Sequence, residues 1–369
     1  MRNLIISVLL IGIFLIVGCV QQPAAETTEE SVEVVEAEVI KVGFMGPLSG
    51  DAASYGESIK RGVDLAMKEM GLDNVELVVE DSKCEGKEAV TAINKLISLD
   101  GVVAIVGEVC SGATLAAAPI ANENNVPMVS PSSTSPKVSE QGEYTFRTVP
   151  SDALQGDFGA NLAYDRGYRK LAVLYTNEEY GLGFNNVLTE SFAALGGEVV
   201  ASETFERGAV DIRTQLTKTK DAEPDVIYII SNSPDSTVAA LQQMTELGIE
   251  AAIFGSEGQK SPAILEGAGE SAEGMVVTAV SSGTSGFIER HQAEYGEAPG
   301  PFAAQGYDAF KAIGLAVEQG ATTGEEIKNA LFGSDFDGAS GHIVFDENGD
   351  VSGNYDVFEV QNGEFVLTS

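Results

Sequence analysis

Residues 39–70 read VIKVGFMGPLSGDAASYGESIKRGVDLAMKEM, and the change of rhythm within this stretch decides the fold. Val39 to Met45 is a short, nearly continuous apolar run, which suits a strand buried on both faces. After a polar turn the period lengthens. From Tyr55 to Met70, Ile59, Val63, Met67 and Met70 share one helical face, while Lys60, Asp64 and Lys68 point away. A doubly buried strand followed by an amphipathic helix opens a parallel βα unit.

The same alternation continues outward. Strand-like runs at Val75 to Glu80, Val102 to Val106 and Val126 to Val129 are separated by helical spacing at Lys87 to Leu99 and Thr114 to Asn122. A second series has strands at Lys170 to Tyr175, Val199 to Phe205, Val226 to Ile230, Ala251 to Gly255 and Met275 to Ala279. Its helices run from Phe184 to Leu195, Ile212 to Lys220 and Ser236 to Leu247. Helical stretches at Gly286 to Tyr295, Phe302 to Gln319 and Gly324 to Leu331 have no strands of their own, so they are assigned to the first series. The tail from His342 to Leu367 looks antiparallel. The expected fold class is α/β: two doubly wound parallel-sheet lobes, with ligand held outside the carboxyl ends of the strands.

Composition narrows the function. A chain of 369 residues favours two domains. With 56 acidic against 21 basic residues, a net charge of −35 repels phosphate backbones and argues against nucleic-acid binding. Arg2 followed by apolar residues from Leu4 to Val17 has the length of a secretory signal and is short for a membrane span. Ile16-Val17-Gly18-Cys19 resembles a lipobox, so residues 1–18 are expected to be a signal peptide and Cys19 to carry lipid. Residues 19–38, rich in Glu and Ala, then read as an acidic tether. The expected location is the extracytoplasmic face of the cell membrane.

Several short segments, weak singly, occur in a telling order: Gly46-Pro-Leu-Ser-Gly with Tyr55-Gly56, Asp81 to Cys84 with Lys87-Glu-Ala, Gly107 to Ser111, Ser130 to Pro136, Glu179-Tyr-Gly, Gly255-Ser-Glu-Gly258, Ala272-Glu-Gly, Tyr307-Asp-Ala and Phe345-Asp-Glu-Asn-Gly-Asp350. Over residues 40–358 the chain resembles the Leu/Ile/Val-binding protein family, substrate-binding proteins of ABC transporters with the type I periplasmic-binding fold. The resemblance implies three crossover hinges, near Ser151, Ser281 and Ala339. Lobe 1 would comprise 39–151 plus 281–338, and lobe 2 would comprise 152–280 plus 339–369. It further implies a monomer that captures a small α-amino acid and delivers it to permease subunits in the membrane. Cys84 and Cys110, the even pair left once Cys19 is lipidated, match a disulfide of the family; two buried free thiols are the alternative.

An α-amino acid needs neutral donors for its carboxylate and an acid for its ammonium. Ser111, following an apolar run and opening a helix, offers a hydroxyl and helix N-terminal N–H groups, although an ordinary cap would look the same. Thr134 offers a second hydroxyl, or is an ordinary turn residue. The resemblance assigns Ser132 a carbonyl contact to the ammonium and Glu257 the ionic contact. Tyr55 and Tyr180 are expected to flank the ligand. Where the family often has a second-lobe Tyr, this chain reads Ile230-Ser-Asn232-Ser, and Asn232 opens the side-chain preference beyond leucine, isoleucine and valine.

No catalytic residue, metal or cofactor is expected. The chain has two histidines, His291 and His342, and lacks a Gly-x-Ser-x-Gly elbow or a P-loop. Asp346 to Asp350 resembles a calcium loop, but the sixth position is Val351 and a hairpin turn at Asn348-Gly349 accounts for the same residues. A receptor-coupled amino-acid sensor of the same fold is the remaining alternative.

Overall fold

The computed structural model describes residues 39–368; the signal-like run, Cys19 and the acidic segment lie outside them. The first sheet is all parallel, with strands β1 (Ile40–Gly46), β2 (Val75–Asp81), β3 (Ala104–Gly107), β4 (Met128–Ser130) and β5 (Thr145–Arg147) in the order β2-β1-β3-β4-β5. Helices α1 (Ala53–Met70), α2 (Gly86–Lys95) and α3 (Ser111–Glu123) make the crossovers. Val42, Phe44, Ile105, Val106, Met128 and Val129 are inaccessible, as expected of strands covered on both faces.

Helix α4 (Asp152–Asp165) leads into the second sheet. There β6 (Lys170–Thr176), β7 (Glu198–Phe205), β8 (Val226–Ile230), β9 (Ala252–Gly255) and β10 (Val276–Ala279) alternate with α5 (Glu179–Ala194), α6 (Arg213–Asp221), α7 (Pro234–Leu247) and α8 (Pro262–Ala268). Its parallel part runs β7-β6-β8-β9-β10, so the second sheet repeats the strand order of the first. Alternate residues of β8 serve two cores: Ile227 and Ile229 pack on one face, Val226, Tyr228 and Ile230 on the other.

The three helices without strands, α9 (Ser285–Tyr295), α10 (Ala303–Glu318) and α11 (Gly324–Phe332), bury Phe287, Phe310, Ile313, Ile327 and Leu331 in the first core. Each such side chain contributes about 1.5–3 kcal/mol on leaving water. Close approach of α10 to α1 requires glycine: a Cβ on Gly62 would stand 1.9 Å from the Ala303 carbonyl oxygen.

The last crossover differs in place from the expected boundary near Ala339. Ala339, Ile343, Phe345 and Val351 remain in the first core, where Phe345 meets Phe146 edge-on at 5.3 Å. A small antiparallel pair, β11 (Phe336–Asp337) with β12 (His342–Ile343), lies in this stretch. Only β13 (Asp356–Gln361) and β14 (Glu364–Leu367) add antiparallel strands to the second sheet. These apolar residues are buried with the first core, which holds the chain to the first lobe through Val351. Cys84 and Cys110 form a disulfide with Cα atoms 5.4 Å apart, tying the end of β2 to the end of β3.

Among the described residues no helix is long and apolar enough to cross a membrane. At the calcium-like turn, the Asp346 carboxylate accepts from the Asn348 and Asp350 N–H groups. Asp350 pairs with Arg147 at 2.6 Å, so both carboxylates have structural partners.

Candidate ligand-binding site

In each sheet the strand order reverses at one place, between β1 and β3 in the first and between β6 and β8 in the second. Loops leaving such a pair diverge in opposite directions and open a crevice. The two crevices meet in one cavity. From the first sheet come Ala52 and Tyr55 after β1, Val109, Cys110 and Ser111 after β3, and Ser132 after β4. From the second come Tyr180 after β6, Asn232 after β8, and Glu257 and Gly258 after β9; Phe302 closes one side. The space not filled by atoms is about 400 Å³, mouth included. Six of the seven sequence-predicted residues therefore line one cavity, and Thr134 stands behind it.

Ser111 is the first residue of α3, one position beyond the expected cap. Its buried Oγ accepts the Ser135 N–H at 3.2 Å and keeps its own proton free to donate. With the α3 N-terminus behind it, this end of the cavity offers donors and partial positive charge. No lysine or arginine lines the cavity.

The second sheet contributes an acid. Glu257, 3% exposed, sits on a single 3₁₀ turn closed by reciprocal bonds between Ser256 and Gln259. Gln259 Nε2 donates to the Ser231 carbonyl at 2.9 Å, anchoring the turn to the end of β8. Gly258 is required here, since a Cβ would lie 2.2 Å from the Ser231 carbonyl oxygen. Glu257 Oε2 has no hydrogen-bond partner, and burial pushes this carboxyl up to about 7 despite help from its own backbone N–H, Tyr180, Gln155 and Thr134.

Asp152, at the start of α4, was not anticipated from sequence. It is fully buried with both carboxyl oxygens unpartnered, and its pKa lies well above the ordinary range through burial first and the neighbouring Glu257 charge second. The Thr134 hydroxyl lies near both carboxyls and favours their ionised forms, but makes no hydrogen bond of ordinary geometry with either. The structure thus places the Thr134 hydroxyl beside the two carboxyls, while the next residue, Ser135, reaches Ser111 through its N–H.

The walls are aromatic. The Tyr55 hydroxyl donates to the Gly258 carbonyl at 2.8 Å across the cleft, and its ring leans on Phe302 at 6.4 Å. Phe302 holds a φ of +59°, uncommon for a bulky residue and typical of strain kept at functional sites. Tyr180 shares a 2.7 Å hydrogen bond with Ser256, and burial followed by the Glu257 charge raises the pKa of both tyrosines. The Ser132 hydroxyl donates to the Val109 carbonyl at 2.6 Å, and Asn232 lies against the disulfide, its Nδ2 3.8 Å from Cys84 Sγ.

A cavity lined by hydroxyl and helix-end donors from the first sheet and by a buried carboxyl with a free oxygen from the second suits a small zwitterion. Comparison with known proteins agrees in kind. A family model described as periplasmic binding protein matches residues 39–364. The leucine-, isoleucine-, valine-, threonine- and alanine-binding protein of Pseudomonas aeruginosa is 29% identical over 87% of this chain and 89% of its own.

The chain belongs to the Leu/Ile/Val-binding protein family.

Among solved structures, this family member is similar to a leucine binding protein, LivK, from Thermotoga maritima, with TM-score 0.85 and 32% identity over 90% of this chain and 98% of the other. It is also similar to the branched-chain amino acid transporter substrate binding protein LivJ from Streptococcus pneumoniae, solved with isoleucine, with TM-score 0.82 and 29% identity over 90% and 100%. The family's members are substrate-binding proteins of transporters, and the two-lobed α/β architecture is that of a type I periplasmic binding protein.

Proposed function

We propose that this chain is the extracytoplasmic substrate-binding lipoprotein of an ABC transporter, closing its two lobes around a small α-amino acid and handing it unchanged to membrane permease subunits. The observation that carries this reading is Glu257: a buried carboxyl with a free oxygen, in the same cavity as Ser111 and the α3 N-terminus. Ser111 would hold the ligand carboxylate. Glu257, backed by Thr134 and the Ser132 backbone, would hold the ammonium, with Tyr55 and Tyr180 as walls. The remaining wall, from Ala52, Val109, Cys110 and Phe302, is apolar and supports a short aliphatic side chain. Asn232 adds an amide there and widens the range toward polar side chains. The names of the relatives from Pseudomonas and Streptococcus support the same ligand class.

Anchoring through Cys19 and action as a monomer belong to the same proposal. A thermal-shift screen of the twenty L-amino acids against protein freed of endogenous ligand tests it. Binding to the native state raises the melting temperature by mass action, so a few small aliphatic amino acids should stand out. A flat screen would defeat the reading.

A further inference from the structure

Beyond the ligand cavity, the two lobes also meet at a part-buried cation. Arg207 stands in the loop after β7, its side chain 15% exposed. Its guanidinium reaches across the cleft: Nη1 donates to the Cys84 carbonyl at 3.0 Å, and Nη2 donates to the Glu85 carboxylate. On its own side, Nη1 also meets Glu178 Oε2 at 3.2 Å. The next residue, Gly208, has a φ of +79°, and a Cβ there would lie 2.4 Å from the Asp51 carboxylate of the first lobe, so this loop is pressed against that lobe. Both ends of the contact lead to the site. Glu178 immediately precedes α5, which carries Tyr180 into the cavity. Cys84 is bonded to Cys110, the neighbour of Ser111.

We infer that Arg207 is a positioning residue for ligand capture: a latch that forms when the lobes close and that the Cys84–Cys110 disulfide keeps in register with Ser111. A fork of donors on a carbonyl and two carboxylates fixes direction as well as distance, which a lysine could not reproduce. Opening the lobes breaks the Cys84 and Glu85 bonds and leaves only Glu178. The latch therefore acts on ligand escape more than on ligand entry.

This inference rests on the two-lobe binding reading, and its test separates the two. Spin labels at the exposed Thr91 and Thr217 report the distance between lobes, and stopped-flow release of L-leucine reports escape. In Arg207→Met, which keeps the stem and removes the fork, the release rate should rise about tenfold, the effect of losing one partly exposed charge-assisted contact. The association rate should change less than about twofold. The interlobe distances of the variant should shift toward longer values, while its ligand-free melting temperature stays close to that of the parent. Joint exchange, Arg207→Glu with Glu85→Arg, should recover part of the slow release. Distance distributions and release rates that match the parent overturn the latch. If L-leucine leaves the parent's distances unmoved, the amino-acid reading falls alone, and the latch is then decided by the ligand-free distributions of parent and variant: a shift to longer distances in Arg207→Met upholds it, and identity overturns it.

Discussion

Replacing Glu257 by Gln should push affinity and stability in opposite directions. The substitution keeps shape and removes charge. An ammonium left in the cavity without its carboxylate loses about 2–5 kcal/mol, the usual penalty for an unpaired buried charge. That corresponds to a roughly thirtyfold to several-thousandfold rise in Kd. Stability responds the other way. The folded carboxyl titrates at about 7 against an ordinary value near 4.5, so the folded state holds its proton more tightly than the unfolded chain. Ligand-free stability is then fully present below about pH 4.5 and declines as pH rises through 7, a penalty on the order of 3 kcal/mol at pH 8. Gln carries no such penalty. At pH 8 the ligand-free variant should melt several degrees above the parent, and the gap should close toward pH 4. Calorimetric titration with L-leucine and thermal melts at the two pH values measure both effects. Undiminished affinity in a folded Glu257→Gln protein would refute the assignment of the ammonium to this carboxyl.

The same carboxyl predicts proton linkage: below pH 7 affinity should fall as pH falls, by at most about tenfold per unit, with protons released on binding. Titrations in buffers of different ionisation enthalpy read this directly. Gly258→Ala places a methyl 2.2 Å from the Ser231 carbonyl oxygen, displacing the Glu257 turn, so it should weaken binding and cost about 1–3 kcal/mol in denaturant unfolding. Removing the disulfide with Cys84→Ser and Cys110→Ser, a closure of 26 residues, should lower unfolding free energy by about 3 kcal/mol; denaturation of the parent with and without reductant should show the same loss.

Much of the fold was legible because parallel strands announce themselves as apolar runs: β8, VIYII, is buried at every position. What escaped did so for packing reasons. Helix α4 was unseen and α5 was expected only from Phe184, since glycines at 156, 159, 181 and 183 weaken the helical signal. Three of them are demanded by neighbours the sequence does not reveal. A Cβ on Gly156 would meet Val187 at 2.8 Å, one on Gly159 the Tyr228 hydroxyl at 2.7 Å, and one on Gly181 the Thr176 carbonyl oxygen at 2.1 Å. Strand β5, three residues long, is too short to show a period.

At the site, residues next to strand ends could be placed on the cavity by their loops. Asp152 could not. Its Ser151 neighbour gives an ordinary helix-start signal, with Oγ accepting the Ala153 N–H, and only the approach of Glu257, about a hundred residues further along the chain, turns that aspartate into half of a buried acidic pair.

The most direct test of the account is titration calorimetry of ligand-stripped protein with L-leucine, isoamylamine and 4-methylpentanoate, three molecules that share a side chain and differ in which charged ends they carry. Saturable binding of the amino acid, with each single-ended analogue weaker by orders of magnitude, is the predicted result, because Ser111 and Glu257 each need their own charge. A carboxylate without an amine that bound as tightly as the amino acid would contradict it.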